Sequence, residues 1–335
     1  MDQAELQDCI SCGAGLETVI DHIWDDRYGC PGIFAIKRCV VCGQMATIPR
    51  LKEEDLPALY SQYYPRRNID FSALEMEAAA VLAPRAGINR WLSGTDNQGH
   101  YLAKPGQRVL DIGSGSCLAL LELRAMGVEA WGVEADPNVR AIADRYNLRV
   151  HIGSIHDKPF ETEKFDLIVL NQVIEHVPDP RALLRIVKER LSPGGRIVLS
   201  FPNVASWQRK LSGRRWINWH VPYHQHHFTR QSFTLLAKHE GLSVIKARSI
   251  TPNLWTLLQI KAMSENPSEG QASCSWGSIE AGAEKRRLIN RIGKALGRRA
   301  GGMASVFLVV VNRFVDAVGG GDSLLIELSN PVSDC

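Results

Sequence analysis

The chain has 335 residues, 45% of them hydrophobic and 22% charged, with a net charge of +3. That length allows two domains, and the composition excludes a disordered, collagenous or disulfide-scaffold protein. No apolar run reaches the roughly 18–20 residues of a membrane-spanning helix, and the opening MDQAELQDC lacks the basic and apolar stretches of a secretory signal, so a cytoplasmic protein is expected.

Residues 1–50 carry two cysteine pairs, Cys9-x-x-Cys12 and Cys39-x-x-Cys42, inside one 34-residue window. A C-x2-C knuckle brings two thiolates to one Zn²⁺ at about 2.3 Å, and two knuckles complete a tetrahedron. Glycine follows each pair, at Gly13 and Gly43, and strand-like content at Ile33 to Arg38 lies between them. A redox C-x-x-C or chance pairing is the alternative. The reading favoured is a zinc ribbon whose Zn²⁺ is structural, because an all-sulfur set leaves no open position for water. Cys30, Cys117, Cys274 and Cys335 show no partner pattern.

Residues 51–104 form a helical connector, with a Tyr-rich stretch (LPALYSQYYP), an Ala-rich segment from Ala73 to Leu92 and a polar loop. Over 105–315 strand-like runs alternate with helical ones: Arg108–Asp111, Ala130–Glu134, Arg149–Ile152, Phe165–Leu170 and Arg196–Phe201, then Ser243–Arg248 and Ser305–Arg313. Asp136-Pro137 and Asp179-Pro180 each pair an N-cap with proline at the first helical position. The alternation predicts an α/β fold with a mostly parallel sheet. Residues 256–300 read as an insertion and 316–335 as a poorly anchored tail. Within the insertion, 285–299 holds seven basic residues and no acid, with Leu288, Ile289, Ile292 and Leu296 at helical spacing. That basic amphipathic helix packs on its own domain or touches a membrane surface or nucleic acid. The mild net charge does not predict a nucleic-acid partner.

The first strand of that alternation runs into VLDIGSGSC, an acid (Asp111) followed by Gly113-x-Gly115. Bare backbone there lets a ligand approach closely at the carboxyl edge of the sheet. The next strand ends in Glu134, nineteen residues after Gly115, placed to accept ribose hydroxyls. A dinucleotide would want a third glycine where Leu118 stands, and has no use for Asp111. S-adenosylmethionine (SAM) suits both acids better.

The motifs DIGSGS (111–116), GVEADP (132–137), FDLIVLNQVIEHVPDP (165–180) and LSPGGRIVLSFPN (191–203) resemble, in order and spacing, those of class I SAM-dependent methyltransferases. The resemblance spans roughly residues 106–250. It implies a Rossmann-like seven-stranded sheet with helices on both faces and an antiparallel last strand, for which Ser305–Arg313 is the candidate. It assigns Asp111, Gly113 and Gly115 to the amino acid and backbone side of SAM, Glu134 to the ribose, Ser154 and Ile155 to the adenine, and Asn171 to the methionine portion. Two departures stand out: Cys117 occupies a common glycine position, and Ser154 replaces an adenine-contacting Asp. The N-terminal ribbon and Tyr-rich connector resemble a subset associated with bacterial surface-polysaccharide or sugar-nucleotide modification.

For the chemistry, the resemblance to ubiquinone-type O-methyltransferases places Glu175 and His176 beside the transferred methyl. The run WINWHVPYHQHHFT (216–229) adds His220, His224, His226 and His227. Histidine can take a hydroxyl proton near neutral pH; orienting a loop is the structural alternative for any one of these, and a metal site here lacks an interleaved carboxylate. The expectation is that His176 and one of His224 or His226 face a common pocket, with Glu175 nearby. Tyr223-x-Gln225-His226 is similar to the Tyr-x-Glu-His of sugar-nucleotide C-methyltransferases, but glutamine cannot act as a base. Trp207, Trp216 and Trp219 would wall an acceptor or simply fill a core. The reading is O-methylation of a glycan, sugar nucleotide or related hydroxylated small molecule. Its rivals are C-methylation of a deoxysugar nucleotide and a catalytically silent binding module.

Overall fold

The computed structural model describes residues 8–64, 70–273, 276 and 298–331. Its first three strands, β1 (Leu16–Ile23), β2 (Phe34–Cys39) and β3 (Met45–Ile48), form an antiparallel meander. Phe34 and Ile36 turn inward from β2, where they meet Trp216, Trp219 and Val221 from far along the chain. Burying such large apolar groups is worth about 1.5–3 kcal/mol each, so the meander draws its core from the later segment. The sheet is completed by a strand from that same segment, placed below.

The larger sheet is built from β4 (Arg108–Ile112), β5 (Glu129–Glu134), β6 (Arg149–Ile152), β7 (Phe165–Asn171) and β8 (Leu191–Pro202), all parallel. These strands read as near-continuous apolar runs because both faces are covered; Leu167, Ile168, Val169 and Leu170 are all fully buried. A short strand, β9 (His226–His227), pairs antiparallel with β3 and so joins the cysteine-bearing sheet. The chain then adds β10 (Ser243–Ile250) and β11 (Ser323–Ser329), giving the order β10-β11-β8-β7-β4-β5-β6. Strand order reverses between β4 and β7, which opens the ligand crevice at their carboxyl ends.

The last strand is not Ser305–Arg313. That run lies in the helix Arg298–Ala317, where buried Asn312 bonds Asn253 and Thr256 of a neighbouring helix. A short β-branched run cannot be assigned by periodicity alone. The strand is instead Ser323–Ser329, inserted antiparallel between β8 and β10, with Leu324, Leu325, Ile326 and Leu328 buried. The segment expected to be a loose tail is therefore a central strand. The Ala73–Leu92 stretch is likewise two helices, Phe71–Ala79 and Ala86–Ser93. Pro84 breaks it, and Arg85 takes a left-handed φ of 68°. The basic run 285–299 lies outside the described residues except for the start of that last helix. Cys274 and Cys335 lie outside them too.

Candidate active site

At the end of β4 the turn Gly113–Ser116 is held by Gly113 and Ser114 N–H donating to the Val133 carbonyl at 2.8 and 3.2 Å. Gly113 has φ 75°, and a Cβ there would sit 2.5 Å from Val173. A Cβ on Gly115 would meet no protein atom within 4 Å, so the turn faces open space on the ligand side. Cys117 stands where a glycine is common, and it keeps the left-handed conformation (φ 56°) that glycine would supply. The departure leaves the backbone path intact.

Asp111 is 2% exposed; burial, with Glu134 and Glu122 adding repulsion, pushes its carboxyl up to about 8. Such a group is poised for a cation. Glu134 at the end of β5 accepts the Gly115 N–H at 2.6 Å and the Asp136 N–H at 2.9 Å, and its pKa is raised chiefly by burial. Asn171 Oδ1 accepts the Gly99 N–H at 2.7 Å, bringing the loop before β4 over the crevice. After β6, Ser154 caps a short turn by accepting the His156 N–H at 3.1 Å, and Ile155 is buried beside it. Asp157 accepts the Ser154 N–H at 2.8 Å, so a carboxylate still stands at this corner, three residues on. These residues share the carboxyl edge of β4, β5, β6 and β7, and the open face at Gly115 with the acids Asp111 and Glu134 fits SAM.

Beyond β7 the chain turns through Glu175 and His176. The Glu175 carbonyl accepts the Gln225 and His226 N–H groups at 2.8 and 3.2 Å, zipping this turn to the segment 220–227. The zip brings the His176 and His224 rings to 4.6 Å at 88°, edge on. Glu175, His176 and His224 offer ligand atoms all within 4.8 Å of one another. Glu175 is 1% exposed with both carboxylate oxygens unpartnered, and burial pushes it up to about 8. Burial holds His176 down at about 4, the Tyr223 carbonyl opposing, and places His224 well below the usual histidine range. His224 Nδ1 lies 2.9 Å from the Asn218 carbonyl, which fixes its proton there and turns Nε2 toward His220 Nδ1 at 3.4 Å. His220 itself has a left-handed φ of 39°.

His226 is not brought to this cluster. Its ring nitrogens lie against Gln44 Nε2 at 3.4 Å and the Pro178 carbonyl at 3.3 Å, and its ring stacks on Phe228. His227 meets Thr47 Oγ1 at 3.0 Å. These two histidines alternate along β9 and fasten it to β3 instead. Trp216 and Trp219 are core residues.

Sequence reasoning missed the aromatic wall. Tyr60 hydroxyl lies 2.9 Å from His176 Nδ1. Tyr28, Tyr60 and Tyr64 surround the fully buried Tyr223 with ring centroids 5.4–5.6 Å away. The available signal was the density of tyrosines in LPALYSQYYP.

The four cysteines of the knuckles converge. Cys9 and Cys42 Sγ are 3.5 Å apart, Cys12 and Cys39 Sγ 3.4 Å, and all four sulfurs lie within 4.8 Å. Tetrahedral Zn–S bonds of about 2.3 Å set sulfurs roughly 3.8 Å apart, so the set fits. Burial raises Cys39, but the N–H groups of Cys42 and Val41 and the neighbouring thiols outweigh it and bring Cys39 to about 7. With Gly13 and Gly43 both left-handed, at φ 75° and 73°, each knuckle closes.

A methyltransferase-domain family matches residues 85–247. A ubiquinone biosynthesis O-methyltransferase of Xanthomonas campestris is 28% identical over 182 residues, 48% of this chain and 74% of that protein. Solved structures similar to this chain include a SAM-dependent methyltransferase from Archaeoglobus fulgidus (16% identity, TM-score 0.41, 77% of this chain and 99% of that one). Another is a phosphoethanolamine N-methyltransferase 2 of Haemonchus contortus in complex with SAM (15%, 0.47, 86% and 62%). The reversal of strand order, the glycine turn with its buried acid at that point, and the family match carry one conclusion: residues 85–247 hold a class I methyltransferase domain, and the protein is a SAM-dependent methyltransferase.

Proposed function

We propose that this enzyme methylates a hydroxyl oxygen of a glycan, sugar nucleotide or related hydroxylated small molecule, in the pocket between the turn after β7 and the segment 220–227. The observation that carries the reading is the edge-on His176–His224 pair with Glu175 beside it, four to five residues past the strand that ends in Asn171. SAM supplies a methyl group on a sulfonium. Asp111 and Glu134 hold its amine and ribose, Asn171 and the 113–115 turn its methionine portion, and Ser154 and Ile155 its adenine. The tyrosine wall suits the apolar face of a sugar ring. His176, His224 and Glu175 face the acceptor hydroxyl and carry away its proton, a contribution of about 10²–10⁴-fold. Gln225 uses its amide N–H on the His176 carbonyl at 3.1 Å, and an amide cannot abstract a carbon-bound proton, which favours oxygen over carbon. The Xanthomonas relative is also named for O-methylation. Cys9, Cys12, Cys39 and Cys42 hold one structural zinc.

Radiolabelled SAM offered with sugar nucleotides and glycans, followed by NMR of the labelled product, tests the reading. An O-methyl product is expected; a C-methyl product overturns it.

A further inference from the structure

Glu175 poses a physical problem that the proton-transfer role leaves open. Both its oxygens are buried and unpartnered, at 1% exposure. No salt bridge among the described residues reaches it. A buried polar group left without a hydrogen-bond partner costs about 1–3 kcal/mol even when neutral, and a ligand that pairs with it removes that cost. Its nearest potential ligand neighbours are two imidazoles, His176 and His224, with all three donor atoms within 4.8 Å. His224 is oriented as a metal ligand would be: Nδ1 lies 2.9 Å from the Asn218 carbonyl, which leaves the lone pair on Nε2, now facing His220 Nδ1 at 3.4 Å, to turn to a cation. Two imidazoles and one carboxylate are a donor set for first-row divalent ions, with positions left open for substrate.

We infer that Glu175, His176 and His224 bind a divalent transition-metal cation, distinct from the cysteine-bound zinc, whose open positions take oxygens of the acceptor. The acceptor part deepens the O-methylation reading and rests on it; the metal binding does not. With the cation bound, the three ligands no longer take the proton themselves: the acceptor hydroxyl on the cation gives it to water, since a bound divalent ion lowers the pKa of its oxygen ligand. The oxygen electron pair then forms the new C–O bond while the C–S pair returns to sulfur, so sulfonium becomes thioether and charge balances. Tyr60, 2.9 Å from His176 Nδ1, orients that ring. The carboxylate that the histidine run itself lacks is supplied by the turn after β7.

The test is titration of the zinc-loaded full chain with Co²⁺ alone. One equivalent is expected to bind, with weak d–d absorption and no thiolate charge-transfer band. Glu175→Gln and His224→Ala should each weaken Co²⁺ binding by about tenfold or more, while SAM affinity and the cysteine-bound zinc stay as in the wild type, which shows that the variants fold. Absence of a bound cobalt beside the zinc, or unchanged binding in both variants, overturns the site. Hydroxyl methylation that continues undiminished after the second metal alone is stripped overturns its acceptor role. Failure to methylate any hydroxyl, with cobalt bound and lost in the variants as expected, counts against the O-methylation reading instead and leaves the metal site standing.

Discussion

The indole N–H of Trp216 donates to the Asp322 carboxylate at 2.9 Å, across 106 positions of sequence. The same carboxylate accepts Asn218 Nδ2 at 2.8 Å and the Ser206 hydroxyl, so the residue just before β11 pins the segment that carries His220 and His224. Asp322→Ala leaves those donors buried without an acceptor and should cost about 3 kcal/mol or more, read as a lowered denaturation midpoint. Burial pushes Asp322 up to about 7 from 3.8, against the hydrogen bonds it accepts. A carboxyl with a raised folded pKa binds protons in the native state that the unfolded chain has released, so its contribution declines as pH rises from about 4 to about 7. Asp322→Asn should flatten the stability profile in that window; an unchanged slope would show that the carboxyl does not titrate there.

SAM binding should release a proton. Asp111 titrates near 8 in the free protein because of burial and the nearby Glu134 and Glu122. A cationic amine arriving beside it favours the ionised form, so affinity should rise with pH up to about 8 and level off above it. Calorimetry at pH 7 in buffers of different ionisation enthalpy reads the released proton directly. A binding enthalpy independent of buffer would refute the assignment of Asp111 to the SAM amine.

The two glycines of the turn should fail differently. Gly115→Ala adds a methyl group where no protein atom lies within 4 Å, so it should leave most of the stability in place, short of about 1–2 kcal/mol for a left-handed alanine, yet weaken SAM binding sharply. Gly113→Ala meets Val173 at 2.5 Å and should lose fold stability as well as affinity. Paired melting curves and SAM titrations separate the two. Glu134→Ala should also weaken SAM by about 10–100-fold, the worth of a charged hydrogen bond.

Cys12→Ser should release the zinc and, through β3 and β9, disturb the acceptor pocket. Thr47 in β3 donates its hydroxyl to the His224 carbonyl at 2.6 Å and its N–H to the Gln225 carbonyl at 3.1 Å. Elemental analysis should show the cysteine-bound zinc gone, and turnover should fall while SAM affinity holds. Full turnover in a zinc-free variant would mean that the cysteine sheet does not support catalysis.

The parallel sheet was legible because strands covered on both faces read as short apolar runs, and because Asp136-Pro137 and Asp179-Pro180 punctuate the helices between them. The cysteine tetrad was legible from spacing alone. The last strand was not: SVFLVVVNR has the composition of a strand yet is helical, and SLLIELS hides behind three glycines that resemble the start of a loose tail. His226 and His224 could not be separated in sequence: two apart on a regular strand they would share a face, but only His226 lies in β9, and His224 sits in irregular chain before it, whose path the local pattern does not set. Glu175 could be placed after β7 but not recognised as a neighbour of His224, because that depends on a contact 49 positions away (224 minus 175).

The pairing of Ala46 with His226 spans 180 positions (226 minus 46), and it orders events during synthesis. A chain still short of Trp216 has made both cysteine pairs but neither the fourth strand of their sheet nor the tryptophans that cover Phe34 and Ile36. Domains emerge from the ribosome amino terminus first, so these three strands of four wait, thiols and apolar face exposed, until the remaining residues arrive. Metal capture on the nascent chain would protect the thiols through that interval, and a shortage of zinc during growth would surface as aggregated new protein rather than as slow enzyme.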